Sequence, residues 1–261
     1  MNGPETLFCI KDKVAVVTGG TRGIGEMIAT GYLKAGAKTY ITSRKADACA
    51  AMQDKLGAFG RCIAAPYDLS CVEGCAGFVD FVAKREEKID ILVNNAGATW
   101  GAPLEEFPES GWDKIMDLNV KSLFFLTQKL APMLRKAASA DGRAKVINIG
   151  SADGLTVPLT ENYSYSASKA AVHHMTRVFA SKFVKDTINV NAIAPGPFES
   201  KMTAFMLGSE EGRESIGQMV PMGRIGAPED MIGLSLFLAA PASDYITGAV
   251  IPLDGGYVNL R

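Results

Sequence analysis

A chain of 261 residues, 48% of them hydrophobic, can bury a substantial core as one domain, because α/β domains commonly reach this size undivided. Its 27 basic and 28 acidic residues leave a formal charge of −1, which excludes a chain-wide field drawing it to nucleic acid or to an anionic membrane. No apolar run approaches the ~18 residues needed to cross a bilayer, so the expected partners are small molecules.

Residues 1 to 12 end in a short apolar stretch, Leu7 to Ile10, without the length or charged flank of a targeting segment, and read as a surface lead-in to the first strand. Apolar, β-branched runs then predict buried strands at Val14 to Val17, Thr39 to Thr42, Ile89 to Val93, Lys145 to Ile149, Ile188 to Ile193 and Ala249 to Leu253. Helical spacing fills Ile24 to Ala35, Cys71 to Lys84, Trp112 to Ala138, Tyr165 to Val184 and Glu229 to Leu238. This alternation predicts a single dinucleotide-binding catalytic domain over residues 1–261, built as a doubly wound parallel sheet of Rossmann type with helices on both faces. Residues 199–226, rich in glycine, proline and methionine, read either as a substrate flap or as an ordinary surface excursion.

The five cysteines, Cys9, Cys49, Cys62, Cys71 and Cys75, are odd in number and include no C-x-x-C pair, which suggests reduced thiols in a cytoplasmic setting. Cys71 and Cys75 could share a helix face, but His173 and His174 lie far along the chain, and no metal site is expected.

Ligands of such sheets bind beyond the carboxyl ends of the strands, so a motif just after a strand carries the most weight. Directly after the first strand stand Gly19, Gly20, Thr21, Arg22, Gly23, Ile24 and Gly25. Glycines let the backbone turn tightly and approach a pyrophosphate, whose charge a helix N-terminus favours. The spacing is G-x-x-x-G-x-G, so a purely structural turn stays open beside the phosphate site. Where an NAD enzyme would carry an acidic residue at the end of the second strand, this chain has Ser43, Arg44 and Lys45, a match for the 2′-phosphate of NADP(H). Arg22 could close on the same phosphate, while a solvated loop end is the plainer account of Arg44 and Lys45. Asp68, followed by Leu69, comes after the third apolar segment and before a helix; it serves either the helix N-cap region or the adenine amino group.

Reducing a ketone takes a hydride, a proton for the resulting alkoxide and a donor that polarises the carbonyl. A tyrosine near its free pKa of ~10 exchanges protons poorly at neutral pH, and a neighbouring cation favours the phenolate. Tyr165 has Lys169 four residues on, on the same helical face, whereas Tyr163 has Ala167 there. Tyr165 is therefore the expected acid, with Lys169 lowering its pKa. Ser151 follows a strand and reads either as the carbonyl's hydrogen-bond donor or as a turn cap. Asn119 falls within a helical pattern that asparagine disfavours, where it marks either a kink that holds a water or a solvent-facing polar residue.

Asn94-Asn95-Ala96-Gly97, Ser151, Tyr165 to Lys169, Pro195-Gly196 and the terminal Leu253 to Gly256, in this order after the glycine turn, resemble the landmarks of the short-chain dehydrogenase/reductase family from about residue 12 onward. Within it the chain is most similar to the 3-oxoacyl thioester reductases, especially the ketoacyl reductase type associated with rhamnolipid synthesis, whose Asn-Ala-Gly-x-x-Trp-Gly run matches Asn95 to Gly101. The resemblance implies that Asn119 supports a proton relay through Lys169, and that Asn95, Ala96 and Gly97 line adenosine and ribose. It further implies that Lys169 touches the nicotinamide ribose, and that Phe198 and Ser200, after Pro195 and Gly196, meet the carboxamide. Ser200 departs from the family's frequent threonine but keeps the hydroxyl.

The expected reaction is NADPH-dependent reduction of a ketone, foremost a 3-oxoacyl thioester on coenzyme A or on an acyl carrier protein, which a basic patch at Lys121, Lys129 or Arg135 could greet. The apolar Trp100, Leu155, Val157, Phe205, Met206 and Leu207 in the variable segments favour a lipophilic substrate, so a steroid or xenobiotic ketone is the rival, and a non-catalytic NADP-binding regulator is the alternative of another class. The family resemblance also implies a homotetramer, paired through Trp112 to Ala138 and Tyr165 to Val184.

Overall fold

The computed structural model describes residues 3–139, 142–158, 160–200, 203 and 207–260. In chain order the elements are α1 (Pro4–Leu7), β1 (Val14–Thr18), α2 (Gly23–Lys34), β2 (Lys38–Ser43), α3 (Ala46–Gly57), β3 (Cys62–Pro66) and α4 (Val72–Ala83). They continue with β4 (Ile91–Asn94), α5 (Glu109–Met116), α6 (Ser122–Ala137), β5 (Ala144–Ile149), α7 (Tyr163–Phe183), β6 (Ile188–Pro195), α8 (Glu210–Gln218), α9 (Pro228–Ala239) and β7 (Val250–Leu253).

Seven parallel strands form one sheet in the order β3-β2-β1-β4-β5-β6-β7. The strands from β4 to β6 are buried along their whole length, which is why they read as continuous apolar runs rather than as alternation. One face packs on α4, α6 and α7 through Phe78, Leu126, Leu130, Phe179 and Phe183; the other packs on α2, α3 and α9 through Ile28, Leu33, Leu56, Met231 and Leu238. On that second face Gly31 lets α2 approach α9, since a Cβ there would come within 2.6 Å of Ile232. The strand order reverses between β1 and β4, and the crevice at their carboxyl ends is where a ligand of this architecture binds.

Three readings of the elements need correction. Strand β3, the segment before Asp68, is absent from the six runs because its sequence, CIAAP, lacks a β-branched series. Helices α3 and α8 are likewise missed: most of α3 is exposed, so alanines and polar residues dominate it, and α8 lies within 199–226, which reads as a substrate flap or surface excursion with no helix assigned. Trp112 to Ala138 is two helices, because a π-helical turn, Asp117–Lys121, separates α5 from α6. The lead-in before β1 also carries the short α1, and its Ile10 is buried in the core.

Candidate active site

The crevice is closed at its base by Thr18, the last residue of β1. Its hydroxyl accepts the N–H groups of Asn95 and Ala96, both at 2.9 Å, and donates to the carbonyl of Val93 at 3.3 Å. The Asn95 amide donates in turn to the carbonyls of Thr18 at 2.8 Å and Gly19 at 3.3 Å. Asn95 therefore staples the loop after β4 to the glycine turn. Gly19 and Gly23 hold positive φ, +64° and +55°, a region that β-carbon sterics deny most residues. A Cβ on Gly25 would lie 2.4 Å from both the Asn95 amide and the Gly19 carbonyl. Thr21 and Ile24 are half-buried along this turn, and a Cβ on Gly23 would lie 3.0 Å from Ser200, so the turn faces the loop after β6. This cradle, opening on the N-terminus of the twelve-residue α2, fits a pyrophosphate.

At the outer end of the crevice Arg22, Arg44 and Lys45 are exposed, and none has an ion pair among the described residues. Lys45 precedes α3, and its N–H donates to the Ser43 hydroxyl at 3.4 Å. Burial would raise the Asp68 carboxyl, but two hydrogen bonds from Ser70, with a smaller contribution from the charge of Arg44, hold it below its ordinary range. It is not the cap of α4: that residue is Cys71, whose sulfur accepts from Gly74 N–H. Leu69 is buried against Cys75 and Phe78 in the core.

The second half of the site grows from the end of β5 and the start of α7. Lys169, 6% exposed, donates to the carbonyl of Ile149 at 2.8 Å, and its Nζ lies 5.5 Å from the centre of the Tyr165 ring. A Cβ on Gly97 would lie 3.7 Å from the same Nζ, which places the loop after β4 against the lysine. The Ser151 hydroxyl accepts the N–H of Asp153 at 3.2 Å, as a turn cap does, and stands near enough to the Tyr165 phenol to lower its pKa. Tyr163, exposed on the far side, pairs with Glu161 at 3.2 Å.

The Tyr165 phenol lies above its ordinary range. Burial pushes the phenol up to about 12, the Ser151 hydrogen bond opposing and the Asp153 carboxylate adding to the rise. Burial also pushes Lys169 itself down, to about 8. Charge is costly where water is excluded, and that holds most for Lys169, which is buried, while Tyr165 is half-buried.

Asn119 is buried and lies in the π-helical turn. Its side chain accepts from Ala98 N–H at 2.9 Å and donates to the Ala98 carbonyl at 3.0 Å and to Ser168 Oγ at 2.9 Å. It is therefore neither solvent-facing nor free to hold a water through its side chain, and it ties α7 to the loop carrying Gly97.

After β6, Gly196 N–H donates to the Leu253 carbonyl at 3.0 Å, continuing the Pro195 to Leu253 register. The Phe198 ring is buried against Gly226, so only its backbone is left to meet a ligand, while Ser200 exchanges hydrogen bonds with Thr203. Of the apolar residues expected to face a substrate, Trp100, Leu155 and Val157 are at least partly exposed, whereas Leu207 is fully buried; Phe205 and Met206 lie outside the described residues. Lys121 and Arg135 are already paired, with Asp117 and Asp186.

Four residues turn out to have supporting roles that the sequence reading did not assign. Asn94 and Asn148 link adjacent strands at 2.9 Å, His173 accepts the Ser151 N–H at 3.4 Å, and Asn162 holds the Asp153 carboxylate at 2.8 Å. The signal for the first two was present: asparagine inside an otherwise apolar buried strand demands a partner. Among the described residues no cluster of His, Cys, Asp or Glu could hold a metal ion, and no helix is long and apolar enough to cross a membrane.

Comparison with known proteins agrees with this geometry. Residues 19–258 match the family model described as enoyl-(acyl carrier protein) reductase. The chain is 47% identical over 250 residues to the rhamnolipids biosynthesis 3-oxoacyl-[acyl-carrier-protein] reductase of Pseudomonas aeruginosa, covering 96% of this chain and 98% of that one. It is 37% identical over 259 residues to the 2-dehydro-3-deoxy-D-gluconate 5-dehydrogenase of Dickeya dadantii, at 96% and 97% coverage. The solved Pseudomonas aeruginosa RhlG/NADP active-site complex superimposes with a TM-score of 0.94 at 47% identity, over 97% of this chain and 99% of that one. The chain belongs to the short-chain dehydrogenase/reductase family and is an oxidoreductase of that family.

Proposed function

We propose that this protein reduces the ketone of a 3-oxoacyl thioester to a secondary alcohol, with NADPH as cofactor. NADPH supplies the hydride when bound. Gly19, Thr21, Gly23, Ile24 and Gly25 would hold its pyrophosphate, Arg22, Ser43, Arg44 and Lys45 its 2′-phosphate, and Asp68 and Leu69 its adenine. Asn95, Ala96 and Gly97 would line its adenosine and ribose, and Pro195, Gly196, Phe198 and Ser200 its carboxamide.

The observation that carries the reading is that Lys169, 5.5 Å from the centre of the Tyr165 ring, is bonded to the Ile149 carbonyl two residues before Ser151, which sets the three side chains at one end of β5. Ser151 donates to the substrate oxygen and polarises the carbonyl, a contact that strengthens as negative charge develops there. Tyr165, held protonated by its raised pKa, delivers the proton to the alkoxide. Lys169, whose pKa of about 8 allows proton exchange near neutral pH, re-supplies the phenol. Asn119 positions this relay by fixing α7 against Ala98.

Two observations favour the acyl substrate: 47% identity to a 3-oxoacyl reductase, and the apolar Leu155 and Val157, 37% and 84% exposed, in the segment that follows Ser151. Residues 199–226 serve as the substrate flap. The protein assembles as a homotetramer through α5 to α6 and α7, where Trp112 and Val178 are exposed, and works in the cytoplasm with its five cysteines reduced. Light scattering would return a tetrameric mass, and a monomer at micromolar concentration would refute that assembly.

The test is oxidation of NADPH and NADH against 3-oxoacyl thioesters on coenzyme A and on carrier protein, 2-enoyl thioesters, steroids and aryl ketones. The pairing of Lys121 and Arg135 weakens the case for a carrier protein, so both thioesters belong in the panel. Strong NADPH turnover with 3-oxoacyl thioesters supports the reading, turnover of bulky ketones alone replaces the substrate, and tight NADPH binding with no turnover converts the protein into a redox regulator.

A further inference from the structure

Two residues beyond Ser151 stands a carboxylate that the reduction just described does not use. The Asp153 N–H is anchored on the Ser151 hydroxyl at 3.2 Å, so the main chain at Asp153 is fixed relative to the group that meets the substrate carbonyl. Its side chain is fixed as well: Oδ2 accepts from the Asn162 amide at 2.8 Å. Asn162, 7% exposed, is oriented from its other end, where its Oδ1 accepts the Ser166 hydroxyl at 2.7 Å. Burial raises the Asp153 pKa above the ordinary carboxylate value, and the Asn162 amide, which turns its donor and not its oxygen toward the carboxylate, opposes that rise. Among the described residues Oδ1 of Asp153 has no hydrogen-bond partner, and no cation pairs with the carboxylate. A half-buried, rigidly held and unneutralised negative charge therefore sits beside the Ser151 and Tyr165 hydroxyls. Its field already acts at that point, because it contributes to the rise in the Tyr165 pKa.

Building on the carbonyl-reductase reading, we propose that Asp153 is a specificity-determining residue that turns away substrates carrying a negative charge close to the reacting carbonyl. In a partly desolvated cleft, like charges repel far more strongly than they do in water. A thioester or ester presents no charge at that distance, whereas a free oxo-acid does. Asp153 acts by excluding the anion, a device that works against the wrong substrate rather than for the right one.

The experiment compares acetoacetate, an anion at neutral pH, with its uncharged methyl ester, using wild type, Asp153→Asn and Asp153→Glu. Asparagine keeps an acceptor for Asn162, so the loop retains its latch and only the charge is lost; glutamate keeps the charge. The ratio of kcat/KM for the anion to that for the ester should rise about tenfold or more in Asp153→Asn, equivalent to about 1.4 kcal/mol, and stay low in Asp153→Glu. A ratio unchanged in Asp153→Asn overturns the proposal, as does an equal rise in both variants. Wild type that reduces neither compound refutes the oxoacyl reading without touching this one. Dissociation constants of the same pair for NADP⁺-loaded protein then decide: selective tightening of the anion in Asp153→Asn supports the charge gate, and no selective change ends it.

Discussion

The ammonium of Lys169, on α7, donates to the main-chain carbonyl of Ile149, the last residue of β5, at 2.8 Å. This bond locks the helix that carries Tyr165 to the strand that leads into Ser151, so the proton donor and the carbonyl's hydrogen-bond donor keep a constant relation. The same burial that makes the bond possible costs the ammonium its hydration, and both consequences can be measured.

Tyr165→Phe should lower kcat by at least about 10²-fold, the lower end of what positioned acid catalysis contributes, while NADPH still binds. With the phenol at about 12 and Lys169 at about 8, the wild-type reductive rate should hold level through neutral pH and decline above about 8, as the lysine loses its proton. A decline that waits for the phenol would remove Lys169 from the relay. Steady-state rates and NADPH titration of both proteins give the answer.

Stability should follow Lys169 in a direction opposite to most ion-pairing groups. Its folded pKa, about 8, lies below the ordinary 10.5, so in the cofactor-free protein the cost of a buried ammonium is fully present below about 8 and is relieved as pH rises toward 10.5. The shift corresponds to roughly 3 kcal/mol. Lys169→Met should therefore compare best with wild type at neutral pH and lose ground as the solution becomes alkaline. Urea midpoints at neutral and alkaline pH measure the difference, and a gap independent of pH would contradict it.

The parallel sheet, the helices on both faces and the positions of Tyr165, Lys169 and Ser151 were all legible in the sequence, because period and spacing report burial and shared helical faces. What was illegible depends on groups distant in the chain. Asn119 reads as a helix defect, yet it pairs with Ala98 and Ser168, 21 and 49 residues away. The rise in the Tyr165 pKa is hidden for the same reason: spacing reveals the nearby lysine, and only the folded chain reveals the burial that raises it. Strand β3 and helix α3 went unread because a partly exposed element of small residues carries little hydrophobic signal.

Arg44→Ala should weaken NADPH binding by about 10- to 100-fold, the worth of a charge-assisted hydrogen bond of about 1.5–3 kcal/mol, and leave NADH affinity nearly unchanged. The prediction follows from an exposed guanidinium, free of ion pairs among the described residues, at the end of β2. Equal losses for both nucleotides would assign Arg44 to the fold instead of to the 2′-phosphate.

Two glycine-to-alanine changes should act in opposite directions. In Gly25→Ala the new methyl meets the Asn95 amide and the Gly19 carbonyl at 2.4 Å, so the staple must open. NADPH affinity and the thermal midpoint should both fall. Gly233 lies exposed in the middle of α9 with nothing within 4 Å of a built Cβ. There alanine should stabilise by about 0.5–1 kcal/mol through the entropy of the unfolded chain. Differential scanning of both variants makes the comparison, and a destabilised Gly233→Ala would show that another surface covers α9.

Acid stability should be governed in part by His173. The imidazole is 3% exposed and lies against Gly150 and Gly154, where a Cβ would come within 2.0 Å and 2.8 Å of the ring. Burial pushes its pKa down from 6.5 to about 4; the Gly154 backbone hydrogen bond opposes this, and the charges of Lys169 and Arg177 add to it. Between those values the unfolded chain binds a proton that the folded chain refuses, so stability falls as pH drops from 6.5 toward 4 and this contribution is exhausted below that. Across the window wild type should lose about 2–3 kcal/mol that His173→Asn does not lose. A charged imidazole also cannot accept the Ser151 N–H, so the loop carrying Ser151 should loosen together with the fold. Urea unfolding at pH values on either side of the window tests this directly: parallel losses in both proteins would show that His173 is not the group that titrates.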